Sequence, residues 1–174
     1  MFGALGRRWY LFGAQAVSVH GTPRLTGDID VTLDLGDLPL PALIEAFSNA
    51  GFSSRVADPN AFALQTRVLP MVHQATSIPV DVILAGSGLE ERFLARTILV
   101  LLAGTPIPVL SPEDLILGKL LAGRAKDLED VTGIIKQQAS LDIAYIRKTL
   151  SELDEALSRA DLLRAFDDAR TIIR

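Results

Sequence analysis

The spacing of apolar positions changes once along the chain, near residue 110. Before that point the apolar residues come in short runs of strand length, broken by glycine, proline and acidic clusters. WYLFG (9–13) predicts a short buried strand, and GAQAVSVHG (13–21) a helix of small residues. TPRLTG (22–27) predicts a loop, and DIDVTLDL (28–35) a strand with alternating character. From Pro39 to Gly51, Leu40, Leu43, Ile44 and Phe47 recur at helical spacing. FALQTRVLPMVH (62–73) and IPVDVILAG (78–86) predict a strand hairpin, and GLEERFLART (88–97) a short helix. ILVLL (98–102) and IPVL (107–110) complete this part as two strands around a turn.

After residue 110 the period becomes helical. Ser111-Pro112-Glu113-Asp114 is a helix start: serine caps, proline suits the first turn, and the acids favour the positive helix end. Ile143, Ile146, Leu150, Leu153 and Leu157 form one stripe, and Leu162, Phe166, Ala169 and Ile173 another. Both are packing faces. The pattern predicts an α/β (α+β) chain: a mixed sheet with flanking helices over 1–110, then a C-terminal helical bundle over 111–174 that closes one side of a cleft.

Composition narrows the function. Hydrophobic residues are 49% and charged residues 22% of 174, which excludes disorder. The net charge of −4 provides no general attraction for nucleic acid, so such contact requires a local patch. The absence of cysteine excludes disulfides and thiolate zinc sites and fits a cytoplasmic location. MFGALGRRWYLFGAQA lacks the layout of a signal peptide. The most apolar window, residues 97–110, is too short and too broken for a membrane helix, so no membrane partner is expected.

The chemistry is in the acids. Asp28 and Asp30 stand two apart, so they share one face of a strand. Like charges held together repel unless a cation lies between them. Hard oxygen donors suit magnesium or manganese. Asp81 lies inside the apolar run IPVDVILAG, where an acid is rarely buried without a partner. If its strand lies beside that of Asp30, three carboxylates converge in a metal site suited to phosphoryl chemistry. Taken singly, each acid reads equally as a loop, capping or edge-strand residue. Gly13-Ala14 follows the strand WYLF and opens a helix. Its N–H groups can cradle a phosphate, or the glycine can serve turn geometry alone.

The order Phe12-Gly13-Ala14, a spacer, then Asp28-Ile29-Asp30-Val31 resembles the nucleotidyltransferase superfamily that includes DNA polymerase β. Gly13, Ala16, His20-Gly21, Arg24, Thr26 and Asp28-Ile29-Asp30 more closely resemble the bacterial AbiEii toxin nucleotidyltransferases. So does SPEDLILGKLLAGRAKDLEDV (111–131), with Lys119, Asp127 and Asp130. Ala14 departs from the superfamily, which has glycine or serine there, and only MFGALGRR stands where relatives carry a first helix.

The resemblance implies transfer of a nucleoside monophosphate from an NTP to an acceptor hydroxyl, on tRNA or protein, by a toxin with a cognate antitoxin. It implies that Asp28, Asp30 and Asp81 hold magnesium or manganese. Gly13, Ala14, Arg24, Thr26, Lys119, Lys126, Asp127 and Asp130 are then nucleotide-binding. The alternative is a catalytically silent binding or regulatory module on the same fold. On a continuous helix, Lys119, Lys126 and Asp130 share a face, Asp127 borders it and Arg124 points elsewhere, unless Gly123 breaks the helix. Lys119 follows the apolar LILG, so its ammonium must meet an anion: a phosphate is favoured over a core carboxylate. Lys126, Asp127 and Asp130 read almost equally as solvated surface charges. Arg24 reads as a phosphate ligand or as a partner of Asp28 or Asp34, and His20 as a structural helix-end histidine. His73 has no assigned role.

Overall fold

A computed structural model describes residues 2–172. Two compact units emerge: residues 1–15 with 25–110, and residues 16–24 with 111–174.

The first unit is built on one mixed seven-stranded sheet. Its strands are β1 (Trp9–Leu11), β2 (Ile29–Leu33), β3 (Phe52–Ser54), β4 (Val68–His73), β5 (Ile78–Leu84), β6 (Ile98–Leu102) and β7 (Thr105–Val109). The order across the sheet is β3-β4-β5-β2-β1-β7-β6. β2 and β5 run parallel, β1 and β7 are parallel, and the other neighbours are antiparallel. The hairpins β4–β5 and β6–β7 match the sequence expectation. So do the helices α1 (Gly13–His20), α2 (Leu40–Asn49) and α4 (Leu89–Ala95). Alternation puts Val31, Leu33, Val80, Val82 and Leu84 on one buried face. Around Phe47, Phe2 and Phe52 pack edge-on.

One element differs from expectation. Residues 62–66 belong to helix α3 (Pro59–Thr66), not to a strand continuous with β4. The cause is local: the Asp58 carboxylate accepts the Ala61 N–H at 2.9 Å, and Pro59 is set for the first turn. Arg67, at φ 59°, ends the helix in the left-handed region before β4 begins. The short β3 and a 3-10 turn over Phe2–Leu5 were not foreseen.

The second unit is helical: α5 (Pro112–Ala122), α6 (Ala125–Gln137), α7 (Ile143–Ala156) and α8 (Leu162–Thr171). Ala16–Arg24, the end of α1 and the loop after it, belong to it. Ser111 caps α5 as expected, its hydroxyl accepting the Asp114 N–H at 3.2 Å. The two acids of that first turn also reach α7. Tyr145 donates its hydroxyl to Asp114 at 2.6 Å, and the Asp142 N–H donates to Glu113 at 3.1 Å. The Asp154 carboxylate accepts the Leu162 and Leu163 N–H groups at the start of α8. Leu115, Ile116, Leu117, Leu120, Ile134, Ile146, Leu150 and Phe166 form the core. The stripes bury Ile146, Leu150, Leu162, Phe166 and Ala169, while Leu157 is exposed and Ile173 lies outside the described residues. Among the described residues no helix is long and apolar enough to cross a membrane.

The cap on α3 gives a test of the one misread element. Asp58→Ala should cost about 1 kcal/mol in denaturant unfolding, and amide exchange should quicken first in residues 59–66. A residue that merely flanked a strand would leave both unchanged.

Candidate active site

Asp30 and Asp81 are register partners on the parallel strands β2 and β5. Partners in register project to the same face, so the two carboxylates stand side by side. Asp28 lies two residues before Asp30 on the same alternation, just ahead of β2. All three acids are half-buried. Asp30 and Asp81 thus lie on neighbouring strands, with Asp28 just outside the strand pair. Asp34 lies past the end of β2, where Arg8 donates to it at 2.6 Å.

Gly13 stands directly against Asp30. Its φ is 64°, in the left-handed region where a side chain is disfavoured. A Cβ added there would lie 2.0 Å from Asp30 Oδ2 and 2.8 Å from its Cγ. The Phe12 N–H also donates to the Asp30 carbonyl at 3.0 Å, which fixes the strand-to-helix turn beside that residue. Gly13 thus serves turn geometry and leaves room for the acid. Ala14, at the first turn of α1, is buried.

Two groups engage the outer acids. Thr26 donates its hydroxyl to Asp28. The Arg55 guanidinium binds Asp81 through Nη2 while its Nε donates to the Met71 carbonyl at 3.1 Å. Arg55 sits just after β3 and is anchored on β4, the neighbour of β5. Its partner is 26 residues away and no motif marks it, so no sequence signal joins the two.

The family resemblance implies a divalent cation, and the donor set fits one. Two hard carboxylates, Asp30 and Asp81, share a face of two adjacent strands with Asp28 just ahead of them, and at position 13 only a glycine leaves room for the Asp30 side chain. As they stand, no three carboxylate or histidine side chains among the described residues are gathered to hold one ion. Asp81 is held by Arg55 and Asp28 by Thr26.

The second block forms a charge network inside the helical unit. Gly123, at φ 65°, ends α5 and separates it from α6, so the continuous-helix arrangement does not hold. Lys119 is 5% exposed, and its Nζ donates to Asp127 at 3.1 Å and Asp130 at 2.7 Å. The anions it meets are core carboxylates rather than phosphate. Arg124 faces the cluster after all, capping α6 and donating to Asp127. Arg24 forks onto Asp130 at 3.0 and 3.2 Å, a carboxylate that its sequence reading did not name. Asp127 and Asp130 are buried, against the surface-charge alternative, whereas Lys126 is exposed. Arg24, about one-third exposed, lines a cavity of about 380 Å³ with Thr22, Asp130, Gly133 and Lys136. His20 is buried in the last turn of α1, in keeping with its structural reading, and its carbonyl accepts from Gln138 at 2.8 Å.

Burial pushes the Asp127 carboxyl up, but hydrogen bonds from Arg124 and Lys119 outweigh it and hold the group below the ordinary carboxylate range. Burial acts likewise on Asp130, and hydrogen bonds from Arg24 and Lys119 again outweigh it. Each pair therefore stabilises the fold at neutral pH, and that contribution is lost as pH falls through the depressed folded-state values.

Two substitutions test these arrangements. Gly13→Ala should cost about 1–2 kcal/mol from the left-handed backbone alone, and should displace the Asp30 side chain in a crystal structure. Lys119→Met should destabilise by about 3–5 kcal/mol at neutral pH, because two buried acids lose their shared cation. The loss should shrink at acid pH, where Asp127 and Asp130 take up protons; urea melts at two pH values measure it.

Comparison with known proteins agrees with this architecture. The family described as the nucleotidyl transferase AbiEii toxin of type IV toxin–antitoxin systems matches residues 1–171. No curated protein sequence matches. Among solved structures, the antibiotic-resistance factor ANT(2'')-Ia is 13% identical with a TM-score of 0.58, covering 90% of this chain and 88% of that one. The lincomycin-bound lincosamide adenylyltransferase LnuA is 14% identical with a TM-score of 0.55, covering 79% and 91%. An antigenic nucleotidyltransferase-like protein from Paracoccidioides brasiliensis is 15% identical with a TM-score of 0.55, covering 95% and 87%. These structures share the fold. With almost its whole length matched by one family, the chain belongs to the AbiEii toxin nucleotidyltransferases and is a nucleotidyltransferase enzyme.

Proposed function

We propose that this enzyme transfers a nucleoside monophosphate from an NTP to an acceptor hydroxyl of tRNA or protein, using magnesium or manganese, as the cytoplasmic toxin of a toxin–antitoxin pair. The observation that supports the metal reading is the register of Asp30 with Asp81 on parallel strands, with Gly13 closed against Asp30. Chance acids would have no reason to meet in register beside a glycine that cannot accept a side chain.

Asp28, Asp30 and Asp81 would hold the metal. When bound, the ion neutralises charge at the transferring phosphate. Asp81 would also help take the proton of the acceptor hydroxyl. Gly13 and Ala14 would present backbone N–H groups to the phosphates, and Thr26 would orient Asp28. Little covalent chemistry falls to the protein in such a transfer, so positioning supplies much of the rate. Arg24 of the first motif and Lys126 of the second block have the exposure to meet phosphate directly. Lys119 would act by ordering Asp127 and Asp130.

The test combines binding and transfer. With labelled NTPs, total RNA and total protein, label should enter one fraction only with magnesium or manganese, and Asp30→Asn should abolish it. In thermal melts the wild type should gain stability from metal plus NTP over chelator. Asp30→Asn should be as stable as wild type, or more so, without metal, because one of the mutually repelling charges is gone. A wild type that gains nothing, with Asp30→Asn clearly less stable, would overturn the metal site.

A further inference from the structure

The chain runs from Thr97 to Pro112 without a charged residue, and β6 lies at the edge of the sheet within that stretch. Edge strands normally carry charge, proline or a bulge, because their outward N–H and C=O groups are a template for another strand. β6 reads Ile98-Leu99-Val100-Leu101-Leu102 and has none of these guards. Both of its faces are apolar and accessible. Leu99 and Leu101 are 74% and 72% exposed on one face, and Ile98 and Leu102 are 40% and 38% exposed on the other.

The direction of its backbone groups follows from its partner strand. β6 and β7 are joined by a two-residue turn, Ala103-Gly104, with φ positive at both residues. Pro108 lies opposite Leu99 and Pro106 opposite Leu101. Proline has no N–H, so these cannot be the pairs that exchange hydrogen bonds. The antiparallel ladder alternates, so the bonds fall to the pairs between them, Leu102 with Thr105, Val100 with Ile107 and Ile98 with Val109. The N–H and C=O groups of Leu99 and Leu101 therefore point outward, away from the sheet. β7 is covered on its other side by β1, so β6 is the open edge of this hairpin.

We propose that β6 is a self-association edge, pairing antiparallel with β6 of a second copy about a two-fold axis at Val100. The strand is its own complement. In that register Leu99 of one copy opposes Leu101 of the other, twice, and each such pair exchanges two hydrogen bonds through the groups that point outward. No charge is buried and every new side-chain contact is apolar. One strand pairing through Leu99 and Leu101 buries less than a standard interface, so the dimer is a weak one.

Sedimentation of the full chain over a concentration series tests this. Wild type should shift from monomer to dimer. The doubly substituted chains Leu99→Lys/Leu101→Lys and Leu99→Glu/Leu101→Glu should each associate at least tenfold more weakly, and an equimolar mixture should recover the dimer. Circular dichroism checks that the substituted chains are folded. If they are not, Val100→Cys serves instead: the chain has no cysteine, so oxidation of this single thiol should give a disulfide dimer. Wild type that stays monomeric at every concentration overturns the proposal. So does a dimer indifferent to the charges, a folded pair of variants whose mixture fails to recover association, or a Val100→Cys chain that does not cross-link.

Discussion

Two carboxylates in register on adjacent parallel strands are an electrostatic burden, and the arrangement around Asp30 and Asp81 follows from it. Each acid has a neighbour that fits the position. Gly13 gives up its side chain so that Asp30 can lie against the turn, Arg55 binds Asp81, and Thr26 binds Asp28. Arg55 is itself held by the Met71 carbonyl, so the cation that engages Asp81 is fixed to the next strand of the sheet. The proposed shared cation would relieve the repulsion between these acids.

The helical unit handles buried charge differently. There the cations are part of the chain. Lys119 is enclosed between Asp127 and Asp130, and Arg124 and Arg24 each fork onto one of the two acids. Charge removed from water is tolerated only when it is paired and hydrogen-bonded, and each of these acids has two cationic partners. The network ties α5 to α6 and to the loop at Arg24, which lies far away in sequence. Its residues act first as structure, and Arg24 and Asp130 combine a network bond with a place on the wall of a cavity.

Much of this was legible in the sequence. The change of period near residue 110, the apolar strand runs, the Ser111 cap and the D-x-D alternation are local. They follow from side-chain direction, rotamer preference and hydrogen bonds within four residues. Residues 62–66 are the exception: their apolar run reads as strand, while the Asp58 cap makes them a helix. The linear block containing Lys119 was legible as a buried cation in need of an anion, but the identity of that anion was not.

The sequence by itself determined the inventory: which acids share a strand face, which lysine is buried, which helix ends are capped, and that no cysteine can contribute. The tertiary structure alone decided the pairings. The parallel register that sets Asp30 beside Asp81, the 26-residue span from Arg55 to Asp81 and the 106-residue span from Arg24 to Asp130 are all non-local. So is the position of β6 at the sheet edge. Such contacts carry no signature in residue spacing. They depend on how strands order across a sheet and where a left-handed glycine such as Gly123 turns the chain back. Strand order and chain reversal are set by the packing of the whole domain, not by any one stretch of it.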